Sequence, residues 1–282
     1  MRKIKYIFLL FTTILIFSCT KDFDRLLSFN KIEFVVGSQI DSEIPSTGIF
    51  VNELIWTPFE VPVEIPIVGN MPFLNRDGLL TGDRLYLDKK KMYNIRAYAP
   101  YVEGLNSNSL TIPFEHGTDV LWANVKYPLE SQGGVINRVN LEYSHLTTKA
   151  GFILEDERDV ISKQKYDFSN ASFSISGFCS RFYLDINSGE LIRPAKDPSV
   201  VINQQKVSTC FAPSPLATDY EVEIEIPSVD SLLPPQRISS HFSYFFKPGH
   251  SYRMTIVVNT NDITVTGDII KWEAQLSDNL EL

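Results

Sequence analysis

Apolar residues recur at every second position in many short stretches of the chain. The alternation is clear in residues 32–36, 61–65, 139–143, 220–226 and 252–258. Successive side chains of a β-strand point to opposite faces, so this period buries one face and leaves the other in water. Because no long stretch combines a 3.6-residue apolar period with capping residues, helices should be few and short. The pattern predicts an all-β protein.

Turn-forming residues separate these stretches. They occur at residues 75–78 (NRDG), 187–189 (NSG), 234–235 (PP) and 259–262 (NTND). Many short strands divided by such turns are typical of β-sandwiches rather than of a parallel α/β sheet. The polar stretch 157–166 is predicted to be a surface excursion or a short helix.

A polar segment near the middle of the chain, residues 127–138 (YPLESQGGVINR), divides two strand-rich halves of similar length. A chain of this size can form two domains of ordinary size. We predict an N-terminal β-sandwich domain at residues 31–130 and a C-terminal one at residues 138–276. A short tail at residues 277–282 follows.

The N-terminus has the pattern of an export signal. Three basic residues are followed by an uncharged run of about 12 residues, shorter than the roughly 20 that a membrane-spanning helix needs. Ile16, Phe17 and Ser18 precede Cys19, in an order that resembles the lipobox of bacterial lipoproteins. We therefore predict a signal peptide at residues 1–18 and acylation of Cys19. The alternative is an ordinary secretory signal with an incidental cysteine.

Residues 19–30 form the predicted lipidated tether. The chain turns polar directly after Cys19, and no later apolar run has spanning length. Since each buried methylene contributes about 0.8 kcal/mol to membrane binding, two or more acyl chains anchor a protein stably. The stretch 21–24 (KDFD) resembles signals that direct some Bacteroidetes lipoproteins to the cell surface, and it also fits a solvated tether.

The charge balance argues against nucleic acid as a partner. Removal of the signal leaves 23 Lys and Arg against 34 Asp and Glu, a formal net charge of −11. Nucleic-acid binding needs clustered Lys and Arg to neutralise phosphates. The one basic cluster, residues 89–91 (KKK), follows Asp88 and is predicted to be the tip of a turn.

The sequence names no catalytic residue, no metal ligand and no cofactor site, and we predict that the protein is not an enzyme. Its four histidines, at positions 116, 145, 241 and 250, lack metal-ligand spacing, and a nucleophile elbow, a P-loop and a dinucleotide-binding fingerprint are absent. The acidic pairs Asp156/Glu157 and Glu223/Glu225 are predicted to lie on solvated surfaces. His145 is predicted to be an inward-facing or hydrogen-bonded histidine at a strand end.

Cys179 and Cys210 are the cysteines that remain once Cys19 is acylated. A disulfide between them could persist in an oxidising compartment, but it needs Cα atoms within about 7 Å, which the sequence does not fix. A disulfide and two free buried thiols both stay open.

Two aromatic clusters, residues 178–183 and 242–246, fit either carbohydrate stacking or a sandwich core. We favour the core, because aromatic residues are enriched in strands and supply much of the buried area of a sandwich.

Four segments follow one another in a recognisable order: residues 93–100 (YNIRAYAP), 119–123 (DVLWA), 139–145 with 150–153 (VNLEYSH and AGFI), and 246–253 with 269–272 (FKPGHSYR and IIKW). They resemble elements of the fimbrillin family of Bacteroidetes lipoproteins, which build surface fimbriae. Ala212 and Pro213 resemble the family's proline-containing strand end. The resemblance implies two tandem transthyretin-like β-sandwich domains, in agreement with the strand pattern.

The resemblance also implies how the protein assembles and where it acts. In the family, a protease removes the lipidated N-terminal segment with the first strand, and the groove accepts a strand from the next subunit. An unpaired sheet edge favours this, because its backbone groups gain partners. The implied partners are other fimbrial subunits, the outer membrane through the N-terminal lipid, and host or bacterial surface ligands. The implied location is the cell surface, in a fimbrium.

The chain departs from the polymerising pattern at the cleavage site. Trypsin-like maturation cuts after a basic residue past the first strand, which we predict at residues 32–36, with residues 49–55 as a candidate strand behind it. No Lys or Arg lies between Lys31 and Arg76, and Arg25 and Lys31 precede the predicted strand. We therefore expect an anchor or accessory subunit that keeps its first strand.

The alternative function is a surface glycan-binding lipoprotein of a polysaccharide-uptake system. Such a protein would use exposed aromatic rings on one sandwich face. Clustered, solvent-facing Trp56, Trp122 or Tyr101 would favour this function, and burial of all three would count against it.

Overall fold

Strands make up most of the residues that the structure describes, and this confirms the all-β prediction. The structure is a computed structural model that describes residues 29–37, 44–59, 61–106, 109–128, 136–194, 199–203 and 208–272. The predicted signal peptide, Cys19, most of the tether and the tail lie outside these residues. The strands are β1 (Phe29–Val36), β2 (Ser46–Trp56), β3 (Pro62–Arg76), β4 (Leu79–Asp88), β5 (Met92–Ala99), β6 (Thr111–Glu115), β7 (Leu121–Pro128), β8 (Ile136–Leu141), β9 (Ser144–His145), β10 (Thr148–Asp156), β11 (Ser172–Cys179), β12 (Arg181–Asp185), β13 (Glu190–Ile192), β14 (Ser199–Asn203), β15 (Ser208–Phe211), β16 (Thr218–Ile226), β17 (Gln236–Tyr244), β18 (Ser251–Val258) and β19 (Ile263–Ile270).

One short α-helix, α1 (Val160–Lys165), lies in the polar stretch where a surface excursion or short helix was predicted. The carboxylate of Asp159 accepts a hydrogen bond from the backbone N–H of Ser162 and so caps its first turn. The helix buries none of its residues. Within the described part of the chain, no helix has the length and apolar character needed to cross a membrane.

The N-terminal half forms one eight-stranded sheet, in the order β8-β1-β4-β3-β2-β5-β7-β9. The sheet folds over on itself into two facing arms, and strands from both arms bury side chains in one core. Phe34 of β1 and Phe73 of β3 meet edge to face, with ring centroids 5.3 Å apart. Other buried members of this first core are Ile32, Ile49, Val51, Leu80, Leu85, Leu87, Tyr93, Ile95, Ala97, Leu121, Ala123, Val139, Leu141 and Tyr143.

The β3–β4 hairpin turns where the NRDG segment predicted a turn. Asp77 and Gly78 both have positive φ, 51° and 85°. Asn75 stabilises the turn through its Oδ1, which accepts a hydrogen bond of 2.9 Å from the N–H of Gly78. Positive φ at both central residues fits the right-handed twist of the flanking strands, and Asp-Gly supplies it at low cost.

The C-terminal half is a sandwich of two four-stranded sheets, β15-β10-β18-β19 and β14-β11-β16-β17. Aromatic rings fill much of the second core between them, and these include Phe178, Phe242, Tyr244 and Phe246 of the two aromatic clusters. Phe182 lies in a different core, and Phe245 is 44% exposed, so the core interpretation is wrong for Phe245. Phe178 lies at the centre of the second core, with its ring centroid 4.8 Å from that of Phe211 and 4.9 Å from that of Tyr220. Phe246 packs against Phe211 at 5.1 Å.

A third core joins the two halves. Strand β6, from the N-terminal half, pairs antiparallel with β12, from the C-terminal half, and β13 completes this sheet. Phe114 of β6 stacks on Phe182 of β12, with centroids 6.0 Å apart. Both rings are buried, together with Tyr98 and Leu184. The halves therefore share backbone hydrogen bonds as well as an apolar contact.

The structure differs from the sequence prediction on where residues 138–145 belong. They were assigned to the start of the second domain, yet β8 pairs parallel with β1 and β9 pairs with β7 in the first sheet. Tyr143 is buried in the first core, where its hydroxyl lies 2.6 Å from Thr47 Oγ1. By hydrogen bonding and packing, these residues are part of the N-terminal half. The other predicted domain limits remain predictions.

Candidate functional site

The first described strand, β1, is held on both sides. It pairs antiparallel with β4 and parallel with β8, so its backbone N–H and C=O groups have partners in two directions. Its inward side chains, Ile32 and Phe34, are 5% and 1% exposed. Strand β2, which contains the candidate strand at residues 49–55, lies two strands beyond β4 and does not contact β1 through the ladder.

Lys31 lies within β1, which corrects the prediction that it precedes the first strand. The strand begins at Phe29, three residues earlier than the alternation indicated. Lys31 pairs with Tyr86 and Ile136 in the ladders, and its Nζ lies 3.0 Å from Glu33 Oε1. The hydrogen bond from the Lys31 ammonium lowers the pKa of the half-buried Glu33 carboxyl. Because Lys31 is part of a hydrogen-bonded ladder, a protease could cut after it only if β1 first left the sheet.

The end of β1 is also tied to its neighbours. The N–H of Val36 donates to the carbonyl of Gly78, and the N–H of Gly37 donates to that of Leu141, at 2.8 and 2.9 Å. The next basic residue in the sequence is Arg76, which lies at the end of β3 in the exposed β3–β4 turn. A cut there would remove β1, β2 and β3 together.

A charged cluster lies on the face of the first sheet that is opposite the first core. Arg96 of β5 donates two hydrogen bonds to Glu64 of β3, at 2.6 and 2.8 Å. Asn52 and Asn94 each donate a further bond to the same carboxylate, at 2.7 and 2.8 Å. These bonds, Arg96 first among them, lower the pKa of Glu64 to about 2. Arg96 and Glu64 form part of the lining of a cavity of about 250 Å³, together with Phe50 and Ile186.

The geometry of this cluster fits a structural ion pair better than a catalytic site. The guanidinium of Arg96 already has a bidentate carboxylate partner, so its charge is neutralised within the cluster. Glu64 stays ionised at neutral pH and cannot serve as a general acid there. In the described residues, no group of three His, Cys, Asp or Glu side chains could hold a metal ion.

In the structure Cys179 and Cys210 are buried thiols that are not joined in a disulfide. Cys179 Sγ lies 3.8 Å from the carbonyl oxygen of Ala212. Burial raises the pKa of the Cys210 thiol to about 12. Of the two alternatives left open by the sequence, this geometry corresponds to the two buried thiols and departs from the candidate disulfide.

Both thiols are expected to be unreactive in the folded protein, because each is buried and only a thiolate reacts quickly. A Cys19→Ser chain, kept without reductant, should give no labelled cysteine with iodoacetamide when native and two when unfolded in urea. Mass spectrometry of the labelled chain makes the count. No labelling of the unfolded, unreduced chain would mean that the two cysteines form a disulfide.

His145 is a hydrogen-bonded histidine at the end of β9, as predicted. Its Nδ1 lies 3.0 Å from Asp119 Oδ1, and its ring stacks on Trp272 with centroids 3.8 Å apart. His116 is half-buried between aromatic rings, where partial burial lowers its pKa, and its Nε2 lies 2.9 Å from Thr209 Oγ1. No local sequence pattern indicates these contacts, because each joins residues that are far apart in the chain.

The three aromatic residues that would favour glycan binding do not form one exposed cluster. Trp56 is 59% exposed. Trp122 packs against the third core and donates from Nε1 to the carbonyl of Ile186, at 3.1 Å. Tyr101 also packs against this core. Only Trp56 of these three therefore faces solvent, which counts against a stacking platform built from them.

Solved structures with a similar fold come from Bacteroides species. A protein of Bacteroides uniformis assigned to cell adhesion superposes with a TM-score of 0.61 at 14% identity, over 86% of this chain and 98% of that one. A similarly assigned protein of Bacteroides ovatus gives 0.58 at 12% identity, over 88% and 99%. A fimbrial protein of Bacteroides vulgatus gives 0.55 at 12% identity, over 86% and 99%. At these identities the likeness concerns the fold.

Sequence comparison adds the family. No curated protein matches the chain closely enough to count as a relative. Residues 61–272, which run from the β2–β3 turn to the tryptophan after β19, match the family model described as fimbrillin-like. This match covers most of the chain and includes the four segments that resemble fimbrillins. The chain therefore belongs to the fimbrillin-like family.

Proposed function

We propose that this protein is an exported lipoprotein, acylated at Cys19, that serves as an anchor or accessory subunit of a fimbria at the outer membrane. Its partners would be other fimbrial subunits, joined by β-strand donation, with host or bacterial surface molecules as ligands. Membership of the fimbrillin-like family supports the fimbrial role. The lipobox-like sequence before Cys19 supports the anchor.

The observation that carries the anchor role is the position of β1. The strand is hydrogen-bonded on both sides, and no Lys or Arg follows it until Arg76. A subunit that polymerises by losing its first strand needs an accessible basic residue just after that strand. In this chain the loop after β1 reads GSQIDSEIP, without a basic residue. Retention of β1 would keep the groove that it occupies filled, so no strand of another subunit could enter it. The subunit would then lie at the end of a series of subunits joined by donated strands.

Strand donation also needs an open edge. Strand β4 pairs with β3 only at residues 73–76, so the first part of β3 has one open edge, and this edge is a poor acceptor. The N–H of Thr57 donates to the carbonyl of Val61. Because hydrogen-bonded pairs alternate along an antiparallel ladder, the backbone groups of residues 61, 63 and 65 bond to β2. The backbone groups of Pro62 and Pro66 therefore point to the open edge, where neither residue has an N–H to donate. The C-terminal sandwich ends in β17 and β19, which contain no proline. We place the donated strand at that sandwich.

Intact mass of the protein extracted from its native membrane tests the proposal. We expect one acylated species that begins at Cys19, and no ladder of detergent-resistant oligomers with a shortened N-terminus on unheated gels. A Cys19→Ala variant is the control, and it should lose both the acyl mass and the membrane association. A lipid-free chain that begins after β1 and runs as a ladder would instead identify a polymerising stalk subunit.

A further inference from the structure

Strand register brings several chain segments to one end of the first sheet. Phe29, the start of β1, pairs with Asp88 at the end of β4. Leu54, near the end of β2, pairs with Met92 at the start of β5. We call this end, which holds the start of β1 and the β2–β3 and β4–β5 turns, the basal end.

The β2–β3 hairpin projects beyond the rest of the basal end. Past Leu54, the described residues of β2 pair only with β3, up to the pair Trp56 and Pro62. The two strands are joined further by the bond from Thr57 N to Val61 O. The two residues of β2 beyond Leu54 correspond to about 7 Å, so the β2–β3 turn extends past the Leu54–Met92 pair.

The projecting turn is apolar where a water-facing turn is expected to be polar. Trp56, Phe59 and Val61, which we call the apolar tip, are 59%, 87% and 61% exposed. Ile55 and Val63, next to the tip, are also exposed. Contiguous exposed apolar groups mark a surface that another phase or partner covers. Tryptophan in particular favours the interface between a bilayer and water.

Positive charge lies at the same end of the first sheet as the apolar tip, on a protein that is otherwise acidic. The β4–β5 turn presents three exposed lysines, Lys89, Lys90 and Lys91, while the whole chain has a formal net charge of −8. Lys91 forms an ion pair with Glu53, with Nζ and Oε2 2.8 Å apart. Glu60, between Phe59 and Val61 in the sequence, lies outside the described residues. Lysines next to exposed apolar groups are the pattern of surfaces that bind anionic lipid.

The chain enters the fold at the same end. Phe29 is 41% exposed at the start of β1. Residues 20–28 separate it from Cys19, and nine residues of chain reach at most about 30 Å. An acyl group on Cys19 would therefore hold the basal end close to the membrane.

We propose that the apolar tip docks into the headgroup region of the bilayer that holds the N-terminal lipid, with Lys89 and Lys90 facing anionic headgroups. The orientation rests on the proposed acylation of Cys19. The tip itself is a second membrane contact, and it acts on a chain without lipid as well. It would fix the orientation of the subunit on the membrane instead of leaving it to swing on its tether.

Vesicle flotation of an unacylated chain, residues 19–282 with Cys19→Ser, tests the tip by itself. Vesicles of phosphatidylethanolamine with phosphatidylglycerol supply the anionic surface, and phosphatidylcholine vesicles supply a neutral one. Replacing Trp56 and Phe59 with serine should lower the partition coefficient by roughly tenfold for each side chain. Leu216→Ser with Leu232→Ser is the matched control, since these side chains are 74% and 89% exposed in the C-terminal half, and it should leave partition unchanged.

Two further measurements separate the contributions. Lys89→Gln with Lys90→Gln should reduce binding to anionic vesicles and leave the weaker binding to neutral ones unchanged. Brominated acyl chains should quench the fluorescence of Trp56, with a Trp56→Phe chain as the blank. Circular dichroism of each variant should match that of the parent chain, because all the replaced side chains are exposed.

Equal partition of the parent chain and the tip variant would overturn the inference. So would a tip-dependent self-association of the lipid-free chain in sedimentation without any binding to vesicles, since a second protein would then be the occupant. Neither result touches the acylation of Cys19, which intact mass measures independently. An unacylated native protein whose tip still binds vesicles would sink the proposed anchor and leave the membrane-binding tip standing.

Discussion

Replacing Phe34 with alanine is expected to lower the free energy of unfolding by about 4 kcal/mol. The ring is 1% exposed and packs edge to face on Phe73 between the arms of the first sheet. Alanine would remove this buried area and leave a cavity that the flanking strands cannot close, because both are held in their ladders. Urea unfolding of the unacylated chain, followed by circular dichroism, measures the change.

Phe59→Ala is the matched control for this measurement. It removes the same atoms from a side chain that is 87% exposed, so the free energy of unfolding should change by less than about 0.5 kcal/mol. A loss below about 1 kcal/mol for Phe34→Ala would mean that β1 contributes little to the first core. The packing of β1 would then no longer support the proposal that the subunit keeps its first strand.

Replacing Glu64 with alanine is expected to cost about 2 kcal/mol of stability. The side chain of Arg96 is 7% exposed and would lose its only ion-pair partner among the described residues, which leaves a desolvated charge. Breaking a fully buried pair costs about 3–5 kcal/mol and an exposed one less than about 1, and the 31% exposure of Glu64 places this pair between them. Glu225→Ala, which removes an exposed pair with Arg237, is the control.

The contribution of Glu64 should also depend on pH. Its pKa is lowered from 4.5 to about 2 in the folded protein, so folding favours the ionised form. The stabilisation is complete above pH 4.5 and is lost as the pH falls towards 2. Unfolding curves at pH 7 and pH 3 should therefore show a smaller difference between the parent chain and Glu64→Ala at the lower pH. An unchanged difference would indicate that the carboxylate charge is not what stabilises Arg96.

The shared sheet bears on how the subunit transmits force. Strands β6 and β12 join the halves through a ladder of five residue pairs, and Phe114 and Phe182 stack across it. A pull on the C-terminal sandwich by a neighbouring subunit would act on this ladder as well as on the short chain connection from β9 to β10. An anchor that must not come apart between its lipid and its neighbour would benefit from such a connection.

The sequence by itself determined the class of the fold and many of its turns. Period-two alternation is a local property of a strand with one buried face, so residues 32–36 and 252–258 identified strands without any knowledge of their neighbours. Asp77 and Gly78 specified their turn for an equally local reason, since both tolerate positive φ. Most rings of the aromatic clusters, with the exception of the exposed Phe245, lie in cores because a sandwich has few other places to bury them.

Only the tertiary structure decided which strand pairs with which. Residues 138–145 alternate like a strand of either half, and the parallel ladder with β1 assigns them to the first sheet. The place of Lys31 within β1, the pairing of Glu64 with Arg96 and the absence of a disulfide between Cys179 and Cys210 have the same origin. The apolar tip is exposed because β2 and β3 extend beyond the first residue of β5. How far one strand extends past another can be seen only once their pairing is known. Alternation records which face of a strand is buried, whereas sheet order depends on contacts between residues far apart in the chain.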